Sequence, residues 1–105
     1  MIQLTEETRE NWCVVAVRGR ADAEAADELE RALTAAVQKS PQVAADFAAL
    51  DYISSAGLRA VIQAARAAQS RKVGFVVCSP TAPVKKVFDM SGLHHIIQIV
   101  GALPC

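Results

Sequence analysis

The sequence predicts an α/β domain, a small mixed β-sheet of four to five strands with amphipathic helices packed on it. Two β-rich runs near the N-terminus, residues 3–8 and 12–18, are separated by a polar segment typical of a hairpin turn. After them, segments with the helical spacing of apolar residues alternate with short apolar runs. A strand, a helix and a strand in this order indicate parallel strands joined by a crossover.

Length and composition restrict the protein classes to consider. The 105 residues, 52% hydrophobic and 21% charged, are predicted to form one domain, residues 1–105, with one core. Eleven acidic and eleven basic side chains cancel and no basic cluster stands out, so we expect no nucleic-acid partner. Without a signal-peptide pattern or an apolar run of roughly 18 residues, we expect a cytoplasmic protein with no membrane contact, monomeric when free.

The predicted helices follow from apolar periodicity. Asp22 is a suitable N-cap, so the first helix is predicted to start there and to end at Ser40-Pro41. Its inner positions are Ala26, Leu29, Leu33, Ala36 and Val37. The second helix starts near Ala56, with an inner face of Leu58, Val61, Ile62, Ala65 and Ala68. A third, short helix has Val84, Val87 and Phe88 inside and closes at Ser91-Gly92.

Three further strands are predicted between and after these helices. They are residues 42–47, residues 72–78 and residues 96–100, each a short run with apolar or β-branched content. The segment Gly19-Arg20-Ala21 interrupts the pattern of the second strand, so that strand is predicted to end before it.

Cysteine and histidine give no metal or cofactor site. Cys13, Cys78 and Cys105 are widely spaced without a Cys-x-x-Cys pair, so we predict neither a disulfide framework nor a zinc site. Cys13 and Cys78 lie in strand-like runs and should be buried, whereas Cys105 should be exposed. His94 and His95 are adjacent, and on a strand they would point to opposite faces and could not share a metal.

Residues 51–58, Asp-Tyr-Ile-Ser-Ser-Ala-Gly-Leu, join an apolar strand to an amphipathic helix. Serine hydroxyls at such a junction lie beside unpaired backbone N–H groups and the positive end of the helix dipole. They suit a helix cap or a site that carries a phosphate, and both alternatives stay open. Asp22 and Asp46, interpreted as a cap and a strand-end carboxylate, could lie at the same end of the sheet.

Enzymes have the least support among the function classes. The chain contains neither the Gly-x-Ser-x-Gly elbow of serine hydrolases nor a Gly-x-x-x-x-Gly-Lys phosphate loop nor a Gly-x-Gly-x-x-Gly turn. We therefore predict that the protein is not an enzyme, and we assign no catalytic residue.

Two segments, residues 50–58 (Leu-Asp-Tyr-Ile-Ser-Ser-Ala-Gly-Leu) and residues 88–93 (Phe-Asp-Met-Ser-Gly-Leu), resemble the bacterial anti-sigma-factor antagonists of the STAS domain family. The resemblance extends over about residues 12–100 and implies a STAS-type mixed β-sheet with its amphipathic helices packed on one side. It implies a phosphorylated serine at the start of the helix after the third strand. It also implies two partners, an anti-sigma factor serine kinase with a histidine-kinase-like ATPase fold and a PP2C-type phosphatase. The unmodified antagonist would bind the anti-sigma factor and free the sigma factor, which controls transcription by partner switching.

Carried over residue by residue, the resemblance makes Ser55 the phosphate acceptor and Ser54 the second candidate. Ser54 stands where the best-known members have aspartate, so a kinase would meet a neutral hydroxyl there. Asp22 matches the acidic residue of the Gly-x-x-Asp turn, and Asp46 matches a strand-end acidic position. The residues expected to bind the partner or to lie near the site are Asp22, Asp46, Ser54, Ala56, Gly57, Arg59 and Gln63.

Two other functions remain open on the sequence. One is a STAS domain that is never phosphorylated and serves as a regulatory subunit of a transporter or signalling complex. The other is a module that binds a small molecule or a nucleotide, for which ligand-dependent thermal stabilisation would be the signature.

Overall fold

The chain starts with the predicted hairpin. In the computed structural model, which describes residues 2–103, strand β1 (Ile2–Arg9) pairs antiparallel with β2 (Trp12–Ala21), with Arg9 opposite Trp12. Glu10 adopts a φ of 56°, a left-handed conformation common in tight turns and rare elsewhere for residues with a Cβ.

Parallel crossovers build the rest of the sheet. Strands β3 (Gln42–Ile53), β4 (Gly74–Cys78) and β5 (Gln98–Val100) extend it in the order β1-β2-β3-β4-β5, and each pairs parallel with its predecessor. The connections are the helices α1 (Ala26–Lys39), α2 (Ser55–Arg71) and α3 (Ala82–Ser91), with a 3-10 turn (Leu93–His95) before β5. The predicted crossover from strand to helix to strand is confirmed.

The two faces of the sheet carry different layers. Buried side chains of all three helices share one core with alternate strand residues such as Val15, Val43, Ala45 and Val77. The intervening residues, Val14, Ala44, Val76 and Cys78, form a second cluster on the opposite face, to which no described helix contributes. The predicted fold class, a mixed sheet with helices on one side, is therefore confirmed.

Strands β2 and β3 are longer than predicted. Gly19-Arg20-Ala21 belongs to β2, and β3 continues from Phe47 to Ile53. The pairing register shifts between Ala16 and Arg18 and again between Gly19 and Arg20, and Gly19 adopts a φ of 103°. Such bulges interrupt the alternation of side chains while the strands continue, so the disturbed pattern resembled a strand end.

Helix α1 begins four residues later than predicted. The side chain of Asp22 accepts a hydrogen bond from the Ala25 N–H at 3.0 Å, but this bond closes a turn that precedes the helix, which starts at Ala26. Apolar periodicity predicted the inner face of this helix correctly. All five predicted inner residues are buried: Ala26, Leu29, Leu33, Ala36 and Val37.

Helix α2 buries smaller residues than predicted. Its buried residues are Gly57, Ala60, Val61, Ala64 and Ala68, whereas Leu58, Ile62 and Ala65 are only partly buried. The prediction favoured bulky apolar residues, but α2 packs against both the sheet and α1, and small side chains permit that close approach. The residues predicted to face outward, Arg59, Gln63, Arg66 and Gln69, are exposed.

The last third of the chain differs from the prediction at the final strand. Helix α3 buries Val84 and Phe88 and closes at Gly92, whose φ of 76° suits glycine, as predicted. Strand β5 has only three residues, and the two histidines occupy the 3-10 turn, where their ring centroids lie 4.0 Å apart instead of on opposite faces. Ile96, predicted to belong to the strand, is 70% exposed.

The predicted burial of Cys13 and Cys78 is confirmed. Cys13 and Cys78 are buried, and burial is the main cause that raises the pKa of the Cys13 thiol above its ordinary value. A thiol that stays protonated is a poor nucleophile, which fits a packing role. Cys105 lies outside the described residues.

Candidate functional site

The serine junction lies where β2 and β3 end and α2 begins. Ala21 and Ile53 form the last parallel pair between these strands, and Ser54 is the next residue of the chain. The carboxyl ends of parallel strands, followed by helix N-termini, are where open α/β sheets place binding sites. The junction is therefore the best-supported candidate site.

The hydroxyl of Ser54 both donates and accepts a hydrogen bond at this junction. Its Oγ donates to the carbonyl oxygen of Ala21 at 3.1 Å and accepts from the N–H of Gly57 at 3.1 Å. Its backbone N–H donates to the same Ala21 oxygen at 2.9 Å. Ser54 is thus the N-cap of α2, and it also ties the helix to the end of β2.

Gly57 permits the close approach of α2 to these strand ends. A Cβ at this position would lie 2.7 Å from the Ala21 carbonyl oxygen and 2.8 Å from Cγ1 of Ile53, both closer than real Cβ contacts. Since one of these atoms is backbone, a side chain would push the helix away. Gly57 therefore acts by positioning the helix, while its neighbour Ala56 is partly exposed.

Ser55 is the first residue of α2 and is exposed. It occupies the turn in which helix N–H groups lack helical acceptors and the dipole is positive. A phosphate on Ser55 would thus be electrostatically favoured by its own helix.

Asp22 lies at the same edge of the sheet as Ser54. It directly follows Ala21, the residue that receives both Ser54 hydrogen bonds. The hydrogen bond from the Ala25 N–H is the main cause that lowers the pKa of the Asp22 carboxyl from its ordinary value of 3.8. The expectation that Asp22 would lie near the serines therefore agrees with its position.

Asp46 is placed elsewhere. It lies in the interior of β3, paired in register with Ala16 and Cys78, and its carboxylate accepts from the Ala48 N–H at 3.1 Å. Seven residues of extended chain, roughly 23 Å at about 3.3 Å per residue, separate it from Ile53. The interpretation of Asp46 as a strand-end residue is wrong because β3 continues through the bulges, and the structure does not bring Asp46 to the serines.

Sequence reasoning missed Arg20 and Tyr52. They are opposite each other in the β2–β3 register, and the guanidinium carbon of Arg20 lies 4.3 Å from the centroid of the Tyr52 ring. Tyr52 is 39% exposed, so the pair forms a cation–π platform beside the junction. The only signal in the sequence was the position of Tyr52 just before the serines, because the bulged register that sets Arg20 against it arises from sheet pairing.

Arg59 and Gln63 extend the exposed surface along α2. They are one helical turn apart and both are exposed, so they continue the side of the helix that begins near Ser55. Of the predicted residues, Asp22, Ser54, Ala56, Gly57 and Arg59 thus belong to one region of the surface or its support, with Gln63 one turn farther.

Among residues 2–103, no group of three histidine, cysteine, aspartate or glutamate side chains is arranged to hold a metal ion. Within the same residues, every helix is too short or too polar to cross a membrane.

Comparison with known proteins relates this chain to one family. The STAS domain family matches residues 3–103. The chain is 31% identical over 102 residues to the candidate anti-sigma factor antagonist BtrV of Bordetella bronchiseptica, covering 96% of this chain and 88% of that protein.

Solved structures share the fold. An anti-sigma factor antagonist from Mycobacterium paratuberculosis superposes with a TM-score of 0.84 at 24% identity, over 98% of this chain and 88% of that one. The Bacillus cell fate determinant SpoIIAA, in its phosphorylated form, gives a TM-score of 0.69 at 20% identity, over 94% and 90% of the two chains. The family match over almost the whole described chain, together with the relative above 30% identity, shows that this chain belongs to the STAS domain family.

Proposed function

We propose that the protein is an anti-sigma-factor antagonist whose binding to an anti-sigma factor is switched off by phosphorylation of Ser55. The observation that carries the proposal is the difference between the two adjacent serines. Ser55 is exposed at the first position of α2, whereas the hydroxyl of Ser54 is engaged as donor and acceptor. The likeness to BtrV supports the regulatory class.

The hydrogen bonds of Ser54 explain why its neighbour is the acceptor. A kinase needs a hydroxyl that can reach the transferred phosphoryl group, and Ser55 presents one at the surface. Modification of Ser54 would sacrifice its bond to Ala21 and disturb its bond to Gly57, and with them the start of α2. Each such bond contributes about 1 kcal/mol to stability, so Ser54 is the costlier target.

The phosphate would act on the interface and leave the fold intact. It adds about −1.5 to −2 charges and three acceptor oxygens at a helix N-terminus that tolerates negative charge. In the middle of a protein–protein interface, the same charge costs desolvation and repulsion, and roughly 4 kcal/mol would weaken binding about a thousandfold. Unmodified protein would hold the anti-sigma factor and release the sigma factor; a PP2C-type phosphatase would restore this state. These events take place in the cytoplasm.

The test uses the anti-sigma factor kinases of the same organism, purified one by one and assayed with ATP. Mass spectrometry of the treated protein should find one phosphate, on Ser55. The variant Ser55→Ala should lose phosphate incorporation and keep its affinity for the kinase, because a methyl group replaces a hydroxyl at the surface. The variant Ser55→Asp should bind more weakly because it carries a charge.

Ser54→Ala is the control for the neighbouring hydroxyl and should still be modified. Phosphate found only on Ser54 would overturn the assignment of the acceptor. Tight binding without modification of either serine, by a kinase active on another substrate, would favour a regulatory subunit that is never phosphorylated. If no anti-sigma factor binds the protein, the proposed function is wrong.

A further inference from the structure

A groove of about 500 Å³ lies between the second half of α2 and the segment that leads into β5. Arg66 and Gln69 form its α2 side, the half-buried Val73 and Phe75 form its floor, and His95 and Ile96 form its other side. Ile96 is 70% exposed, one of three large hydrophobic residues exposed among residues 2–103. An exposed isoleucine at a groove with an apolar floor is typical of a protein-binding surface.

Among residues 2–103, Arg66 is the one arginine, lysine, aspartate or glutamate that lines the groove, and the other charged side chains of α2 are basic as well. Between Asp51 and Asp89 the chain contains no acidic residue and six basic ones: Arg59, Arg66, Arg71, Lys72, Lys85 and Lys86. Four of these lie on α2 or at its end, and among the six Arg66 is the one that lines the groove. The zero net charge of the whole chain does not show this uneven distribution, because ten of the eleven acidic residues lie in residues 1–51.

We propose that this groove is a second docking surface for the anti-sigma factor, occupied by an amphipathic segment with an apolar side chain against Ile96 and carboxylates near Arg66 and His95. The inference rests on the proposed function and extends it. Apolar contact supplies the affinity of such an anchor, and opposite charge at its rim speeds encounter and fixes orientation.

The neighbouring helix favours a narrow protein segment over a nucleic acid or an anionic membrane. Helix α1 packs beside α2 and exposes Asp27 and Glu28. A broad polyanion lying on α2 would therefore also meet these carboxylates, whereas a single acidic segment confined to the groove would not.

A second copy of this chain fits the groove poorly. Its acidic helix α1 exposes no large apolar side chain that could contact Ile96. Met90, which is 79% exposed beside Asp89, is the other candidate anchor, but Lys86 lies one helical turn before it. Docking Met90 would bring Lys86 toward Arg66, so a different protein with acidic flanks is the better occupant.

The groove is far enough from the phosphorylation site to act independently. Arg66 follows Ser55 by eleven residues, roughly 16 Å along the helix at about 1.5 Å per residue. Effects of changes at sites separated by more than about 10 Å normally add in free energy, so they multiply in affinity. The groove contact would then persist after Ser55 is phosphorylated.

The test measures affinity for the anti-sigma factor that binds the unchanged protein. Ile96→Ser and Arg66→Glu should each weaken binding about tenfold, and the effect of Arg66→Glu should shrink as salt is raised from about 50 to about 500 mM. Met90→Ser and Arg31→Glu are the matched controls, because they make the same chemical changes at exposed positions outside the groove. Both controls should bind within about twofold of the unchanged protein, and circular dichroism should show all four variants folded.

Ser55→Asp combined with Ile96→Ser should lose affinity by the product of the two single losses. If Ile96→Ser and Arg66→Glu bind as tightly as the unchanged protein, the docking surface is wrong while the proposed function stands. If Ile96→Ser instead abolishes a self-association seen by analytical ultracentrifugation and leaves anti-sigma factor binding unchanged, the occupant is a second copy and the proposal is wrong. If the unchanged protein binds no anti-sigma factor, both proposals fail together.

Discussion

At the scale of single residues, the serine junction depends on the close approach of α2 to the end of β2. Ser54 ties α2 to the Ala21 carbonyl, and the missing side chain of Gly57 lets the helix approach that same oxygen. Ala21 therefore contacts both residues that hold the start of α2, the helix on which Ser55 lies. The site is thus supported by residues that a partner would scarcely touch.

Gly57→Ala should destabilise the protein by about 1–3 kcal/mol, since the new methyl group would lie 2.7 Å from the Ala21 oxygen and force a backbone shift. Urea unfolding measures the change. Gly74→Ala is the matched control, because a Cβ there would meet its nearest atom, Cγ of Gln42, at an ordinary 3.6 Å. Equal stability of the two variants would show that the close approach of α2 is not required.

Asp22 gives a prediction for pH. Its pKa in the folded protein is lowered from 3.8, mainly by the Ala25 N–H, so the stability it contributes is present above 3.8 and is lost as pH falls through the lowered pKa. Asp22→Asn should therefore cost stability at about pH 6 and much less at about pH 2. Urea unfolding at both pH values tests this expectation, and a carboxyl titration by NMR should give Asp22 a midpoint below 3.8. A midpoint at or above that value would contradict it.

At the scale of secondary-structure elements, α3 is anchored to the far end of β3. Strand β4 ends at Cys78, opposite Asp46, so the later residues of β3 have no partner strand on that side. The hydroxyl of Thr81, just before α3, donates to the Leu50 carbonyl oxygen at 2.6 Å and takes the place of a strand partner there. This bond links the helix to the strand that carries the serine junction.

Thr81→Val should cost about 1–2 kcal/mol of stability, because it leaves a partly buried carbonyl without its hydrogen bond while keeping the side chain's volume. Thermal unfolding reports the loss. Ser79→Ala is the control, since the bond from its hydroxyl to Gly101 is 3.2 Å long and exposed, and its removal should cost less. A Thr81 variant as stable as the unchanged protein would mean that the anchor contributes nothing.

At the scale of the whole molecule, the parallel strands bring the starts of α1 and α2 to one edge and leave the groove beside Ile96 farther along α2. The candidate phosphorylation site and one side of the proposed docking surface thus lie on the same helix, α2. Because the junction sits at the end of the sheet rather than inside the core, charge can change there without repacking.

Phosphorylation of Ser55 should therefore leave the sheet unchanged. In amide NMR spectra, shifts should move near residues 54–60 and around Asp22, while Asp46 and residues 95–97 should keep their positions. A spectrum of the Ser55→Asp variant is a useful companion, with smaller shifts in the same places. Widespread shifts across β2 to β4 would indicate a conformational switch and contradict the electrostatic account.

The sequence by itself determined the order of elements, the inner face of α1 and the position of the serine junction, because apolar periodicity and turn residues act locally. Only the tertiary structure decided which small residues of α2 face the core and how far β2 and β3 continue past their bulges. It also decided that Arg20 contacts Tyr52 and that Asp46 lies far from the serines. Those outcomes depend on strand register and on the spacing between layers. Both are set by contacts between residues distant in the chain, which no local pattern records.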